Sequence, residues 1–124
     1  MRNVVLGVIA LLAGANAAAA DTEFEGTPET RVEVTLGATT SEAVPRAERE
    51  KRRVVITREG DQYFWASRNN TPLYKLDSGD YVTYVAATGV GYVRVLSPRK
   101  AIGRKVTYME HLTVQMGSIT YFGR

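Results

Sequence analysis

The chain has 124 residues, is 44% hydrophobic and 23% charged, and carries a formal net charge of +3. That length excludes a multidomain enzyme and allows one small core. Zero cysteine excludes a disulfide scaffold, a thiolate metal site and a cysteine nucleophile, and the single histidine, His111, excludes a site built on clustered histidines.

The N-terminus carries an export pattern. Arg2 supplies a positive start, Val4 to Ala13 an apolar run, and Gly14 to Ala20 a small-residue tail. Ala18 and Ala20 fit an A-x-A cleavage site, and Ala15 and Ala17 fit it too. The apolar run is about half of the roughly 20 residues that a membrane span needs. Residues 1–20 therefore read as a signal peptide, cut after Ala20 or after Ala17. The product would be periplasmic or secreted, with no transmembrane segment after cleavage.

Charge divides the remainder. Residues 21–50 hold eight acids and three bases, whereas residues 51–124 hold twelve bases and five acids. Of the eleven aromatic residues, only Phe24 precedes Tyr63. Aromatics dominate small cores, so residues 51–124 are expected to form a small β domain. Residues 21–50 read as an acidic polar leader with one strand, Arg31 to Leu36, whose Val32, Val34 and Leu36 share a face. Asp21 to Thr30 is expected to be mobile, because Phe24 alone cannot offset its ordering entropy. Gly37 to Lys51 reads as loop, with a helical turn after Pro45.

Strand signals then follow closely. Val54 to Ile56 is β-branched, and Gln62 to Ser67 is its hairpin partner across the Glu59-Gly60-Asp61 turn. Leu73 to Leu76 is a short extended piece. Tyr81 to Ala86 and Tyr92 to Leu96 form a second hairpin. Ser97 to Arg104 is a basic loop. Lys105 to Met116 matches a strand better than a helix, and Ile119 to Phe122 closes the sheet. The fold class is all-β: a small antiparallel barrel or two-layer sandwich, preceded by the polar leader. The expected core is Val54, Ile56, Phe64, Ala66, Leu76, Val82, Tyr84, Val93, Val95, Leu112 and Ile119.

The chemistry-bearing patterns are sparse. Gly89-Val90-Gly91 lacks a third glycine and opens a strand, so it reads as a turn and not a phosphate loop. Glu110 and His111 are strand neighbours on opposite faces, so neither orients the other for catalysis. Asp77 with Asp80, and Glu59 with Asp61, bracket glycine turns. Neither an enzyme nor a bound cofactor or metal is expected.

Two surface constellations remain. Arg99, Lys100, Arg104 and Lys105 form a basic loop, and Trp65 with Tyr63 leads a tyrosine-rich set fit for an aromatic platform. Export argues against nucleic acid as their partner. Envelope ligands fit better: a cell-wall glycan or peptide, or an envelope protein.

Residues 66–96 add a family resemblance. An arginine and proline-containing turn (Arg68 to Leu73), a Ser-Gly-Asp turn before a strand (Ser78 to Val82) and a Gly-Tyr-Val-Arg-Val strand (Gly91 to Val95) resemble bacterial SH3-like domains. The closing Gly-Trp-Val segment of that family is absent. The resemblance implies an exported barrel that binds cell-wall glycan or peptide. Together these readings describe a non-catalytic envelope binding module. The alternative is an accessory subunit docking onto a larger envelope complex.

Overall fold

The computed structural model describes residues 20–124, so all but the last residue of the expected export signal lies outside the described residues. The elements are β1 (Asp21–Gly26), β2 (Pro28–Thr35), β3 (Ala38–Ala43), α1 (Arg46–Arg49), β4 (Val54–Glu59), β5 (Gln62–Trp65), β6 (Thr71–Asp77), β7 (Tyr81–Ala86), β8 (Gly91–Leu96), α2 (Pro98–Ala101), β9 (Tyr108–Val114) and β10 (Gly117–Gly123).

All ten strands join one antiparallel sheet in the order β1-β4-β5-β6-β7-β8-β9-β10-β2-β3. The sheet curls into a half-barrel. The expected all-β antiparallel class holds, as one curled sheet and not two layers. β1 stands at one end of the strand order and β2 next to the other end, yet they are consecutive in the chain. Their junction, Thr27, exchanges backbone hydrogen bonds with Arg124 at 2.9 and 3.2 Å. One end of the sheet is thus tied by one short chain segment to the strand next to its other end, and β3 lies beyond that strand.

Residues 21–50 are not a separate leader. They supply β1, β2 and β3 to the same sheet, and α1 follows β3. β1 pairs with β4, from Asp21 opposite Arg58 to Gly26 opposite Val54. Its order comes from backbone pairing and from charge. Glu23 bonds Lys75 at 2.8 Å, Glu25 bonds Arg53 at 2.7 Å and Glu29 faces Arg124 at 3.6 Å. Acids of the first part therefore pair with bases of the second within one fold. Gly26 is required here, since a Cβ at this position would overlap the Tyr108 ring.

The concave face holds the core: Val54, Ile56, Trp65, Leu73, Tyr84, Ala86, Val93 and Tyr108, with Phe24, Tyr63, Val82, Val95 and Leu112 against it. Four of the expected core positions are corrected. Phe64 and Ala66 are only half-buried, because β5 places Trp65 inward instead. In Tyr63-Phe64-Trp65 both alternating faces are apolar, so period two cannot choose between them. The interior offers the indole an acceptor, Glu110, which neither Phe64 nor Ala66 could use. Leu76 is 59% exposed, because β6 turns Leu73 inward opposite Ala86. Ile119 is half-buried and lines a polar cavity rather than the core.

In β2 the expected alternation holds, with Val32 and Val34 on one face. Val32 lies opposite Thr120 and Arg31 opposite Tyr121. The valines therefore take the convex face and Arg31 the concave one. At this end of the sheet the concave face has left the apolar core, so charge there is tolerated.

Candidate functional site

The most exposed of the expected site residues are also the least constrained. Arg99 and Lys100 lie on α2, and Arg104 and Lys105 follow it, all four exposed. Lys100 faces Asp80 at 3.8 Å. Trp65 is 0% exposed and belongs to the core, so it presents no platform. Tyr63 is half-buried, with its ring 5.8 Å from that of Tyr84. The structure does not bring Trp65 and Tyr63 together with the basic loop as one surface.

Trp65 serves a buried polar cluster instead. Its Nε1 donates to Glu110 Oε2 at 2.9 Å, and Arg68 Nε donates to the same oxygen at 3.3 Å. Glu110 is 2% exposed. Burial pushes its carboxyl above the ordinary value, opposed by the Arg68 charge and by both hydrogen bonds. A second cluster joins β1 to the sheet opposite. Lys75 Nζ and Tyr84 Oη each donate to Glu23 Oε2 at 2.8 Å. Burial pushes the Glu23 carboxyl up, but these two bonds outweigh it and hold the group below its ordinary value. Both clusters tie strands together across the concave side, and among the described residues none of their side chains lines the cavities below.

The convex face carries the surface chemistry. Strand register aligns Leu76, Thr83, Arg94, Met109 and Phe122 in one cross-strand row. The adjacent row runs Tyr74, Val85, Tyr92, His111, Thr120 and Val32. Paired residues in a sheet point to the same side, so both rows face outward.

Within these rows the Arg94 guanidinium lies 4.6 Å from the Tyr81 ring centroid and 5.2 Å from that of Tyr92. Its Nε donates to Thr83 Oγ1 at 3.0 Å. Tyr92 stacks on His111, with centroids 5.0 Å apart and planes at 22°. His111 Nδ1 is hydrogen-bonded to the Thr120 hydroxyl at 3.0 Å. The result is one column, Tyr81–Arg94–Tyr92–His111, held by stacking and by two threonine hydroxyls.

Arg94 has no ion-pair partner among the described residues. It separates two grooves. One, of about 320 Å³, is lined by Leu76, Asp77, Ser78, Tyr81, Val85 and Tyr92. The other, of about 200 Å³, is lined by Leu96, Val106, Met109 and Phe122. Tyr74, 65% exposed, and Leu76 flank the first. This is a positioned cation without an ion pair, beside aromatic and apolar walls and in a groove that also holds the Asp77 carboxylate, which accepts the Gly79 N–H at 2.8 Å; a guanidinium so placed can take a carboxylate next to a hydrophobic or sugar face.

A larger concavity of about 490 Å³ lies where β2, β3 and α1 meet. Two cations line it: Arg31, which faces Glu33 at 3.3 Å and Glu42 at 3.4 Å, and Arg52, which is exposed. Arg31 is satisfied internally, and Arg52 has no aromatic ring against it among the described residues, which leaves the convex column, with its clamped guanidinium, as the better-equipped site. Sequence reading overlooked Arg94 because one arginine in a Tyr-Val-Arg-Val strand looks like a solvated outward residue. The available signal was that Tyr81, Tyr92 and Arg94 share strand parity within one predicted hairpin.

Among the described residues no helix is long and apolar enough to cross a membrane, and no three His, Cys, Asp or Glu side chains group to hold a metal ion. The fold and the face define a class: a curled antiparallel β-sheet with an aromatic–arginine strip on its convex side. No family model, curated protein or solved structure matches the chain.

Proposed function

We propose that this protein is an exported, non-catalytic binding module of the cell envelope, whose convex strip holds a carboxylate-bearing cell-wall glycan or peptide. The observation that carries the reading is Arg94, unpaired and clamped between Tyr81 and Tyr92 beside an open groove. The guanidinium would take the ligand carboxylate, and Tyr74, Leu76 and Val85 its apolar or pyranose face. The export pattern of residues 1–20 and the SH3-like resemblance of residues 66–96 support the same compartment and ligand class.

The test is retention of the exported chain on purified, protein-free cell wall. Arg94→Ala and Tyr92→Ala should each lower retention about ten-fold or more, as loss of a charge-assisted contact does. Changing Arg99, Lys100, Arg104 and Lys105 together to alanine should change it little. The reverse pattern would transfer the site to the basic loop.

A second reading, docking onto an envelope protein, draws on the exposed apolar side chains of the same strip, Tyr74 and Leu76. It predicts no retention on bare wall and capture by one envelope protein that Tyr74→Ser and Leu76→Ser abolish.

A further inference from the structure

The two ends of the sheet are built differently. β1 carries a register shift between Thr22 and Phe24 and the acids Asp21, Glu23 and Glu25. A bulge and inward or edge charges are the usual means of blunting a strand edge. β3, at the other end, is Ala38-Thr39-Thr40-Ser41-Glu42-Ala43, exposed at every residue, with no proline and no lysine. Its register against β2 is unbroken from Thr30 opposite Ala43 to Thr35 opposite Ala38.

The ladder shows which backbone groups are free. Val44 N–H donates to Glu29 C=O at 2.9 Å. By the alternation of an antiparallel pair, Glu42, Thr40 and Ala38 also bond toward β2. The N–H and C=O groups of Thr39, Ser41 and Ala43 therefore point away from the sheet. No hydrogen bond among the described residues occupies them.

We propose that this edge pairs with the β3 edge of a second copy, antiparallel, about a two-fold axis at Ser41. Only that register uses all three free residues of each chain: Ser41 faces the partner's Ser41, and Thr39 faces the partner's Ala43. It also puts Glu42 opposite the partner's Thr40, so the strand's single charge meets no like charge. Shifting the centre to Glu42 would oppose two carboxylates. The sequence of β3 is thus self-complementary, which suits a second copy better than a charged peptide.

The pairing has a consequence for the convex face. The outward row that runs from Tyr92 through His111, Thr120 and Val32 ends at Ser41, opposite Val32. The two-fold joins the rows of both copies end to end into one continuous surface. The dimer itself does not depend on what that surface binds.

Sedimentation equilibrium of the exported chain tests it. The parent should show a reversible monomer–dimer equilibrium. Ser41→Lys and Ser41→Glu each place like charges directly opposite at the axis, so each should weaken dimerisation on the order of ten-fold or more. Mixing the two variants should restore it as a heterodimer. Ser41 is an exposed strand residue, and an unchanged far-ultraviolet spectrum will show that both variants fold. A parent that sediments as a monomer throughout, variants that dimerise as the parent does, or a mixture that stays monomeric would each overturn the assignment. So would a monomer whose β3 edge instead captures an added extended peptide.

Discussion

The indole nitrogen of Trp65 on β5 donates to the Glu110 carboxylate on β9 at 2.9 Å, joining residues 45 apart in sequence and on strands that are not neighbours in the sheet. This bond crosses the concave side of the half-barrel. It explains why a carboxylate interrupts the apolar alternation of β9. It also explains why tryptophan, and not the adjacent Phe64, faces inward.

Trp65→Ala should therefore destabilise the fold by about 3–5 kcal/mol, the range for removing a large buried aromatic side chain. Urea unfolding measures it. A loss below about 1 kcal/mol, the scale of exposed-site changes, would mean that the ring is not core.

The Arg68–Glu110 pair should be asymmetric. Arg68→Ala leaves a buried carboxylate with only the indole as donor and should cost about 3 kcal/mol, the low end for an orphaned buried charge. Glu110→Gln keeps an acceptor for the indole and lets Arg68, whose side chain is partly exposed, turn to water. It should cost clearly less. Equal costs in a denaturant series would contradict the burial argument.

The carboxylates of Glu110, buried, and Glu23, half-buried, should give opposite pH slopes in separate windows. The folded protein holds a proton on Glu110 more tightly than the unfolded chain does. Its contribution to stability therefore falls as pH rises above the ordinary glutamate value of 4.5. Glu23 sits below that value when folded, so its contribution is present above 4.5 and lost as pH falls through the depressed value. Thermal melts should show Glu110→Gln flattening the slope above pH 4.5 and Glu23→Gln flattening it below.

Tyr84→Phe removes one of the two donors to Glu23. It should cost about 1.5 kcal/mol, typical of a hydrogen bond to a charged group. It should also bring the acid transition to a higher pH, because Glu23 would be less depressed. Acid titration followed by circular dichroism checks both.

Gly26→Ala should cost about 1–3 kcal/mol through overpacking against the Tyr108 ring. The cost should shrink in a Tyr108→Leu background. Additive effects in that double-mutant cycle would show that the glycine is needed for another reason.

The sequence by itself determined the class of fold. Turn residues at Gly60, Gly79 and Gly89, with β-branched and aromatic runs between them, dictate short antiparallel strands wherever they sit, because those signals act over a few residues. Val54, Ile56, Tyr84 and Val93 were legible as core for the same local reason. Tertiary structure decided the rest. Period two cannot choose a face for Tyr63-Phe64-Trp65, where both faces are apolar, until the interior supplies Glu110. Composition marks residues 21–50 as too polar to order themselves. Their partners, Lys75, Arg53 and Arg124, lie tens of residues away and come within reach only when the sheet curls. The candidate site follows the same division. Tyr81, Tyr92 and Arg94 can be read from one hairpin, but His111 and Thr120 come from β9 and β10. Only strand register places an imidazole on Tyr92 and leaves Arg94 as an unpaired cation between two grooves.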